Sequence, residues 1–390
     1  MEAPRGIVER YQHRRTHPIV TRAVNGPTCQ PVHAHPGPPH YANSQGVTGA
    51  ASRRSGRLSN PQQLDAAIYS CLAVSSSRRR TAALALNPTT RRVQNTKLGT
   101  ITVLMPAKNA ARTVLRAANT TLRALPRDGK LLVLDDASTD STRELVKGIR
   151  DPRVHVLSTD QPLGVARGLN ELLNSADSEF VARMDADDVT LPSRFATQSR
   201  SLSRGLDVTF GGVVHFGESL SLAYPSPPCP LRPKAFNVAL LVGNPVAHST
   251  MLARRSALVQ AGGYATGLAE DYELWMRMAS QGYALSRSAL PVVALRRHPG
   301  QVTARDSWSE RAQLETFWQA SYRELARVVL GEGEVARHSG PLDRANAPVD
   351  KARVLSNPLL EIYKTLNGVD RLGVQLLARR SGFILREGRS

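Results

Sequence analysis

Cysteine is scarce: Cys29, Cys71 and Cys229 are the three in 390 residues, and none forms a CxxC pair. That excludes a disulfide framework and a zinc knuckle, and it makes a reducing compartment the expectation. No apolar run approaches the roughly 18 residues of a membrane-spanning helix, and the first thirty residues lack the apolar stretch of a secretory signal. The sequence therefore reads as soluble and cytoplasmic. The net charge of +19 would suggest nucleic acid if it were spread evenly, but it is not. Residues 1–97 hold 14 of the 51 Lys and Arg but only three of the 32 acids, Glu2, Glu9 and Asp65.

The segment 1–97 also contains neither Phe nor Trp and shows little apolar periodicity, which predicts a disordered basic leader. Its clusters Arg53-Arg54 and Arg78-Arg79-Arg80 read either as a solvated tail or as a patch for nucleic acid or acidic lipid. A start assigned too early would look the same.

From Thr100 the texture changes. Ile101 to Met105 is an apolar run ended by Pro106, and apolar residues at 111, 114, 115, 118, 122 and 125 then follow at helical spacing. Leu131 to Leu134 ends in Asp135-Asp136, and Ser141 with Glu144 reads as a capping box ahead of a second helix. Val154 to Leu157 and Phe180 to Met184 are further strands, separated by an amphipathic helix around positions 165 to 176. Strands alternating with helices imply an α/β fold with helices on both faces of a largely parallel sheet, and ligands then sit beyond the carboxyl ends of the strands. The turns after three of these strands are polar: Pro106-Ala-Lys108-Asn109, Asp135-Asp136-Ala-Ser138, and Asp185-Ala-Asp187-Asp188. None of these turns is a glycine-rich phosphate loop, which disfavours nicotinamide and P-loop enzymes.

Asp185 and Asp187, two apart at a strand end, project to one side and could share a hard cation, magnesium or manganese. An acidic turn with Asp188 capping the next helix is the competing reading. Asp271, at the start of a helix that carries Leu274, Trp275 and Met278, is either a helix cap or a general base partly enclosed by Trp275. His248 and His298 stand in polar segments bracketed by Pro or Gly. Arg167, Arg277 and Arg297 suit a diphosphate or are simply solvated.

Together these pieces resemble a family-2 inverting glycosyltransferase of the GT-A fold, from about Ile101 to Thr303. The matching segments occur in order: Val103 to Asn109, Leu134 to Asp140, Leu163-Gly164 with Arg167 and Asn170, Met184 to Asp188 with Pro192 and Arg194, His248 to Met251 running to Gly262-Gly-Tyr264, Ala269 to Arg277, and Arg297 to Gln301. The resemblance implies a GT-A domain over 98–304, with a mixed sheet, and a helical extension over 305–390. It implies that Pro106, Lys108 and Asp136 hold the nucleotide base, with Arg167 near the nucleotide and Asp185 on the ribose or diphosphate. Asp187 would hold Mg2+ or Mn2+ with His298 as a further ligand, Trp275 and Arg277 would shape the donor and acceptor pocket, and Asp271 would be the catalytic base. The implied donor is a nucleotide-diphosphate sugar, a UDP-sugar first. The implied acceptor is a saccharide or lipid-linked hydroxyl, in cell-envelope polysaccharide biosynthesis.

The sequence departs from processive synthases, because no Gln-x-x-Arg-Trp element follows Asp271, so a single transfer is expected. The basic amphipathic end, Leu372 to Leu377 beside Arg379-Arg380, suggests either a helical cap over the acceptor side or a peripheral contact with an anionic membrane at the inner face of the plasma membrane. Rival readings are a nucleotidyltransferase on a related sheet, which should carry a glycine-rich basic loop where Pro106 to Asn109 stands, and a nucleic-acid-binding protein acting through the leader. A degenerate, inactive transferase is a third, against which Asp136, Asp185, Asp187 and Asp271 are all present. No specific nucleic acid is expected as a partner.

Overall fold

In the computed structural model, residues 99–217, 223–227, 229–298, 317–333, 353–354, 357–381 and 383–384 are described. The leader expected over 1–97 lies outside them, as do Gln301 and Leu314.

The apolar run after Thr100 becomes β1 (Ile101–Ala107), which lies between β2 (Lys130–Asp136) and β4 (Phe180–Arg183) and is parallel to both, with Leu104 opposite Leu132 and Arg183. A strand flanked on both sides and covered on both faces must be apolar nearly throughout, and β1 is. The nine-stranded sheet runs β3 (Val154–Thr159), β2, β1, β4, β8 (Leu252–Arg254), β6 (Val208–Phe216), β9 (Leu285–Arg296), β5 (Val189–Thr190), with β7 (Tyr224–Pro225) alongside β6. β8 is antiparallel to both β4 and β6, and β9 is parallel to β6. The carboxyl ends of β1, β2, β4, β6 and β9 therefore share one rim. The mixed sheet matches the expectation from the family resemblance.

Alternation along the strands divides the core into two layers. Val103, Met105, Leu131 and Val133 pack with α1 (Val114–Ala124) and α4 (Arg194–Leu202). Leu104, Leu132 and Leu134 face α3 (Val165–Ser175), α5 (Pro233–Leu240) and α7 (Glu270–Ser280). Helix α1 ends at Leu125, pushed into extended backbone (ψ 143°) by Pro126. α2 (Thr142–Lys147) starts differently from the sequence expectation. Ser141 makes no side-chain cap; Asp140 Oδ1 accepts from the Thr142 backbone N–H at 3.0 Å instead. Between α5 and β8 a short 3-10 turn, His248–Thr250, reaches the rim. Helix α6 (Arg255–Gln260) follows β8. At Gly211 the backbone of β6 comes so close to β9 that a Cβ would collide with the Val292 methyls, and the register shifts there.

Beyond β9, α8 (Phe317–Leu330) lays Trp318, Tyr322 and Leu325 into the same apolar layer as Leu274 and Trp275, and Tyr322 donates to the Leu241 carbonyl at 3.1 Å. Helices α9 (Asn357–Lys364) and α10 (Gly368–Arg380) add Leu359, Val374 and Ala378 to that layer. α10 is pinned by its own cap, Asn367, and by Asp370, which is buried and accepts from both the backbone and the guanidinium of Arg232. A short pair, β10 (Arg353–Val354) with β11 (Phe383–Ile384), lies off the main sheet. No described helix is long and apolar enough to cross a membrane.

Candidate active site

The three polar turns of the sequence lie along the shared rim. After β1, Lys108 Nζ approaches Asp136 Oδ2 at 3.9 Å, and Asn109 knits this turn to the one after β2 by donating from its backbone to Ser138 Oγ and accepting from the Thr139 N–H. Asp136 holds the loop ahead of α3, accepting from the N–H groups of Leu163 (2.5 Å) and Gly164 (3.1 Å). Both its oxygens are thus already engaged by protein. Its neighbour Asp135 is fully buried and paired with Arg143 at 2.8 Å. Pro106 is half-buried at the end of β1, and Arg167 is exposed in the first turn of α3, two residues beyond that loop.

Just past β4, Asp185, Asp187 and Asp188 bring carboxylate oxygens within 4.8 Å of one another. Asp185 is ion-paired with Arg183, whose side chain is almost buried. Asp187 Oδ2 lies 3.0 Å from His298 Nε2, across 111 residues of chain. Asp188 does not cap α4: its Oδ1 accepts from the Arg296 N–H at 2.8 Å. Its Oδ2 is buried without a hydrogen bond of ordinary geometry, although the nearby Ser249 hydroxyl favours its charge.

The third acidic element is the start of α7. Asp271 accepts from Asn244 Nδ2 at 3.0 Å and from the Tyr272 N–H at 2.7 Å. Burial raises its pKa, and those two donors work against the rise. Burial also raises Asp185, whose pKa feels the charges of Arg183, Asp187 and Asp271 in turn. Asp188 is raised well above the usual carboxylate range by burial and then by Asp185 and Asp187. Glu270 is pushed up to about 7 by burial and by Asp271. Arg183 is the cation whose charge reaches Asp185, Asp188 and Glu270 together. The charges of Arg116 near Asp187 and Asp188 and of Arg194 near Asp188 also reach the cluster, yet Asp185 and Asp188 stay raised, and raised pKa values of this kind mark functional clefts.

Behind Glu270, His248 Nδ1 stands 3.9 Å from its Oε1, and His248 Nε2 shares a 3.0 Å hydrogen bond with the Tyr264 hydroxyl. Burial holds the His248 pKa well below its ordinary value, so this imidazole is neutral. Among the described residues, three that are not glycine have left-handed backbone: Asn109 (φ 50°), Ala137 (φ 51°) and Ala269 (φ 63°). Each directly follows or precedes a rim carboxylate or its turn, at a steric cost of about 1–2 kcal/mol apiece.

Two sequence expectations are corrected. Trp275 lines no pocket: it is 0% exposed, edge-on to Phe210 (4.8 Å between centroids) and to His248 (5.6 Å), so it supports the site from beneath. Arg277 is likewise committed to structure. It is paired with Glu273 at 2.8 Å and donates to the carbonyls of Ala261 and Gly263, clamping that turn to α7. The Glu273 to Arg277 spacing of four was a readable signal for this pair. Arg183, Asn244 and Glu270 went unforeseen as contributors. Asn244 carries no local pattern, since its partner lies 27 residues away.

The profile described as Glycosyl transferase family 2 matches residues 102–262, from β1 through α6, stopping short of Asp271 and His298. Among curated proteins, "Putative glycosyltransferase EpsE" of Bacillus subtilis (strain 168) is 28% identical over 195 residues, 47% of this chain and 68% of that one. "Amylovoran biosynthesis glycosyltransferase AmsE" of Erwinia amylovora is 28% identical over 40% of this chain and 58% of its own. "UDP-Glc:alpha-D-GlcNAc-diphosphoundecaprenol beta-1,3-glucosyltransferase WfgD" of Escherichia coli is 30% identical over 28% of this chain and 44% of its own. The last two are thus matched over less than two thirds of their length. Over residues 102–262 the chain is thus similar to family-2 glycosyltransferases.

Proposed function

We propose that the protein transfers a sugar from a nucleotide-diphosphate sugar to an acceptor hydroxyl, once per encounter and with inversion, using Asp271 as the base. The observation that carries this reading is the meeting of Asp271 with the Asp185, Asp187 and Asp188 cluster in one electrostatic neighbourhood, although some 80 residues of chain separate them.

The residues present suit a hard divalent cation. Three carboxylates within 4.8 Å offer only oxygen donors, and Asp188 Oδ2 is buried and unpaired. Asp187, with His298 beside it, would hold Mg2+ or Mn2+, and Asp185 would face the diphosphate. When bound, such an ion supplies charge neutralisation for departing phosphate oxygens. The protein's own groups do the rest. Lys108, Pro106 and Asp136 border the place for the base, and Arg167 stands free to approach the nucleotide. Asn244 and the Tyr272 N–H orient the Asp271 carboxylate, which takes the proton of the attacking hydroxyl. Attack from the Asp271 side, opposite the leaving diphosphate, inverts the anomeric carbon. A UDP-sugar is the first donor to try, and a saccharide or lipid-linked alcohol the acceptor class.

A panel of nucleotide sugars screened for thermal stabilisation and manganese-dependent hydrolysis, with wild type beside Asp271→Asn, tests this. The variant should keep donor binding and lose transfer by at least about 100-fold. An Asp271→Asn enzyme with full transfer activity would remove the proposed base.

A further inference from the structure

Helix α10 packs through its small residues and shows its larger apolar ones to solvent. Its inner face is Asp370, Gly373, Val374 and Ala378, all buried. Gly373 lies so close to the chain ahead of α5 that a Cβ there would stand 2.8 Å from Leu231 Cδ2, so the helix backbone rests directly on that segment. The outer face carries Val369, 55% exposed, Leu372, 49% exposed, and Leu376, half-buried. Positions 369, 372 and 376 fall on one stripe of a helix, which runs on to the exposed Arg379 and Arg380. A helix on a globular core ordinarily turns such a stripe inward. The helix dipole accounts for two arginines in the last turn, but not for the leucines and valine that lead to them.

Charge decides what can cover the stripe. The one acid of α10, Asp370, is buried and taken by Arg232. Arg371 is committed to the carbonyls of Lys364 and Leu366, and Glu361 of α9 is paired with Lys364. Among the described residues, no carboxylate pairs with Arg379 or Arg380. A second copy laid on the stripe by two-fold symmetry would bring the same two arginines and no free acid of α10 to meet them. The segment 1–97, with 14 Lys and Arg against three acids, has the same unsuitable sign. An anionic bilayer supplies what both lack, an apolar boundary for the stripe and phosphate for the arginines.

We propose that the outer face of α10 docks on an anionic lipid surface, with Val369, Leu372 and Leu376 entering the headgroup boundary and Arg379 and Arg380 meeting lipid phosphates. Ser381, the next residue, packs so tightly on Gly243 that a Cβ there would stand 2.8 Å from its Oγ, and Asn244 beside it donates to Asp271. Docking through α10 therefore keeps the loop that holds the proposed base close to the bilayer. The docking face does not depend on the transfer reading, and vesicle binding tests it with neither donor nor acceptor present.

The test sediments the full chain, at about 0.15 M salt, with vesicles of phosphatidylcholine alone and with vesicles of equal parts phosphatidylcholine and phosphatidylglycerol. Wild type should bind the mixed vesicles and not the neutral ones. Val369→Gln/Leu372→Gln keeps every charge of the chain, those of 1–97 included, and should weaken binding at least about tenfold. Arg379→Gln/Arg380→Gln should weaken it by a similar factor. Both pairs lie at exposed positions, where substitution leaves stability nearly unchanged. Binding that Val369→Gln/Leu372→Gln leaves intact would overturn the proposal, by giving the contact to charge alone. Failure of wild type to bind the mixed vesicles would also overturn it. So would light scattering that shows a wild-type dimer made monomeric by Val369→Gln/Leu372→Gln, since a second copy would then own the stripe.

Discussion

Asn244 Nδ2 donates to Asp271 Oδ2 at 3.0 Å, so the carboxylate proposed as the base is held by a loop as well as by the Tyr272 N–H of its own helix. That hydrogen bond favours the ionised carboxylate against the burial that disfavours it. Asn244→Ala should therefore raise the Asp271 pKa and move the acid limb of kcat/KM to higher pH. Activity should fall several-fold at the acid end and recover largely on the alkaline plateau. A pH profile lowered uniformly, with its limb in place, would show that Asn244 only positions the side chain.

Glu270 has a different pH signature. Its folded pKa of about 7 lies above the 4.5 of an unperturbed carboxyl, because burial penalises the anion and Asp271 repels it. Between those values the unfolded chain has released a proton that the folded chain retains, so stability declines as pH rises from about 4.5 to about 7 and stays lower above that. Glu270→Gln should raise stability at pH 8 by roughly 1–3 kcal/mol in the presence of chelator and leave it nearly unchanged at pH 4.5. Urea unfolding at the two pH values measures this, and a variant destabilised at pH 8 would contradict it.

Arg194 is fully buried, and its pKa is lowered to about 9 by that burial. Its Nη2 donates to the carbonyls of Arg183 (2.8 Å) and Met251 (3.0 Å), tying together the chain where β4 gives way to the antiparallel β8. Arg194→Ala should cost roughly 3–5 kcal/mol, and Arg194→Lys should recover only part of it, because an ammonium that reaches the two carbonyls leaves Gln198 Oε1, which accepts from Nε at 3.3 Å, without its donor. Denaturation midpoints of the two variants decide it: an alanine variant as stable as wild type would refute the bridging role, and a lysine variant as stable as wild type would refute the need for the guanidinium.

Much of the first half was legible in the sequence. The apolar runs 101–105 and 131–134 and the helical spacing after each demand strands and helices, and the rule that ligands gather past parallel strand ends singles out Lys108, Asp136, Asp185 and Asp187. The hidden part is whatever depends on distant partners. Nothing in the sequence around Arg194 shows that it is buried between two carbonyls from separate segments. Trp275, next to an acidic helix start, reads as a pocket wall, yet it shares its helical face with Leu274 and Met278 and goes into the core with them. Ser141 with Glu144 has the spacing of a cap, but the one-residue-earlier Asp140 reaches the Thr142 N–H instead.

The order of the sheet has a mutational corollary. The turns after β1, β2 and β4 all lie before residue 189, whereas Asn244 and Asp271 both follow α4. Within the sheet the two groups meet at the short antiparallel pairing of β4 with β8, and Asn170 with Tyr264 and Asp187 with His298 join them outside it. A substitution in the later segments can therefore reshape the surroundings of Asp271 while leaving the turns after β1, β2 and β4 untouched.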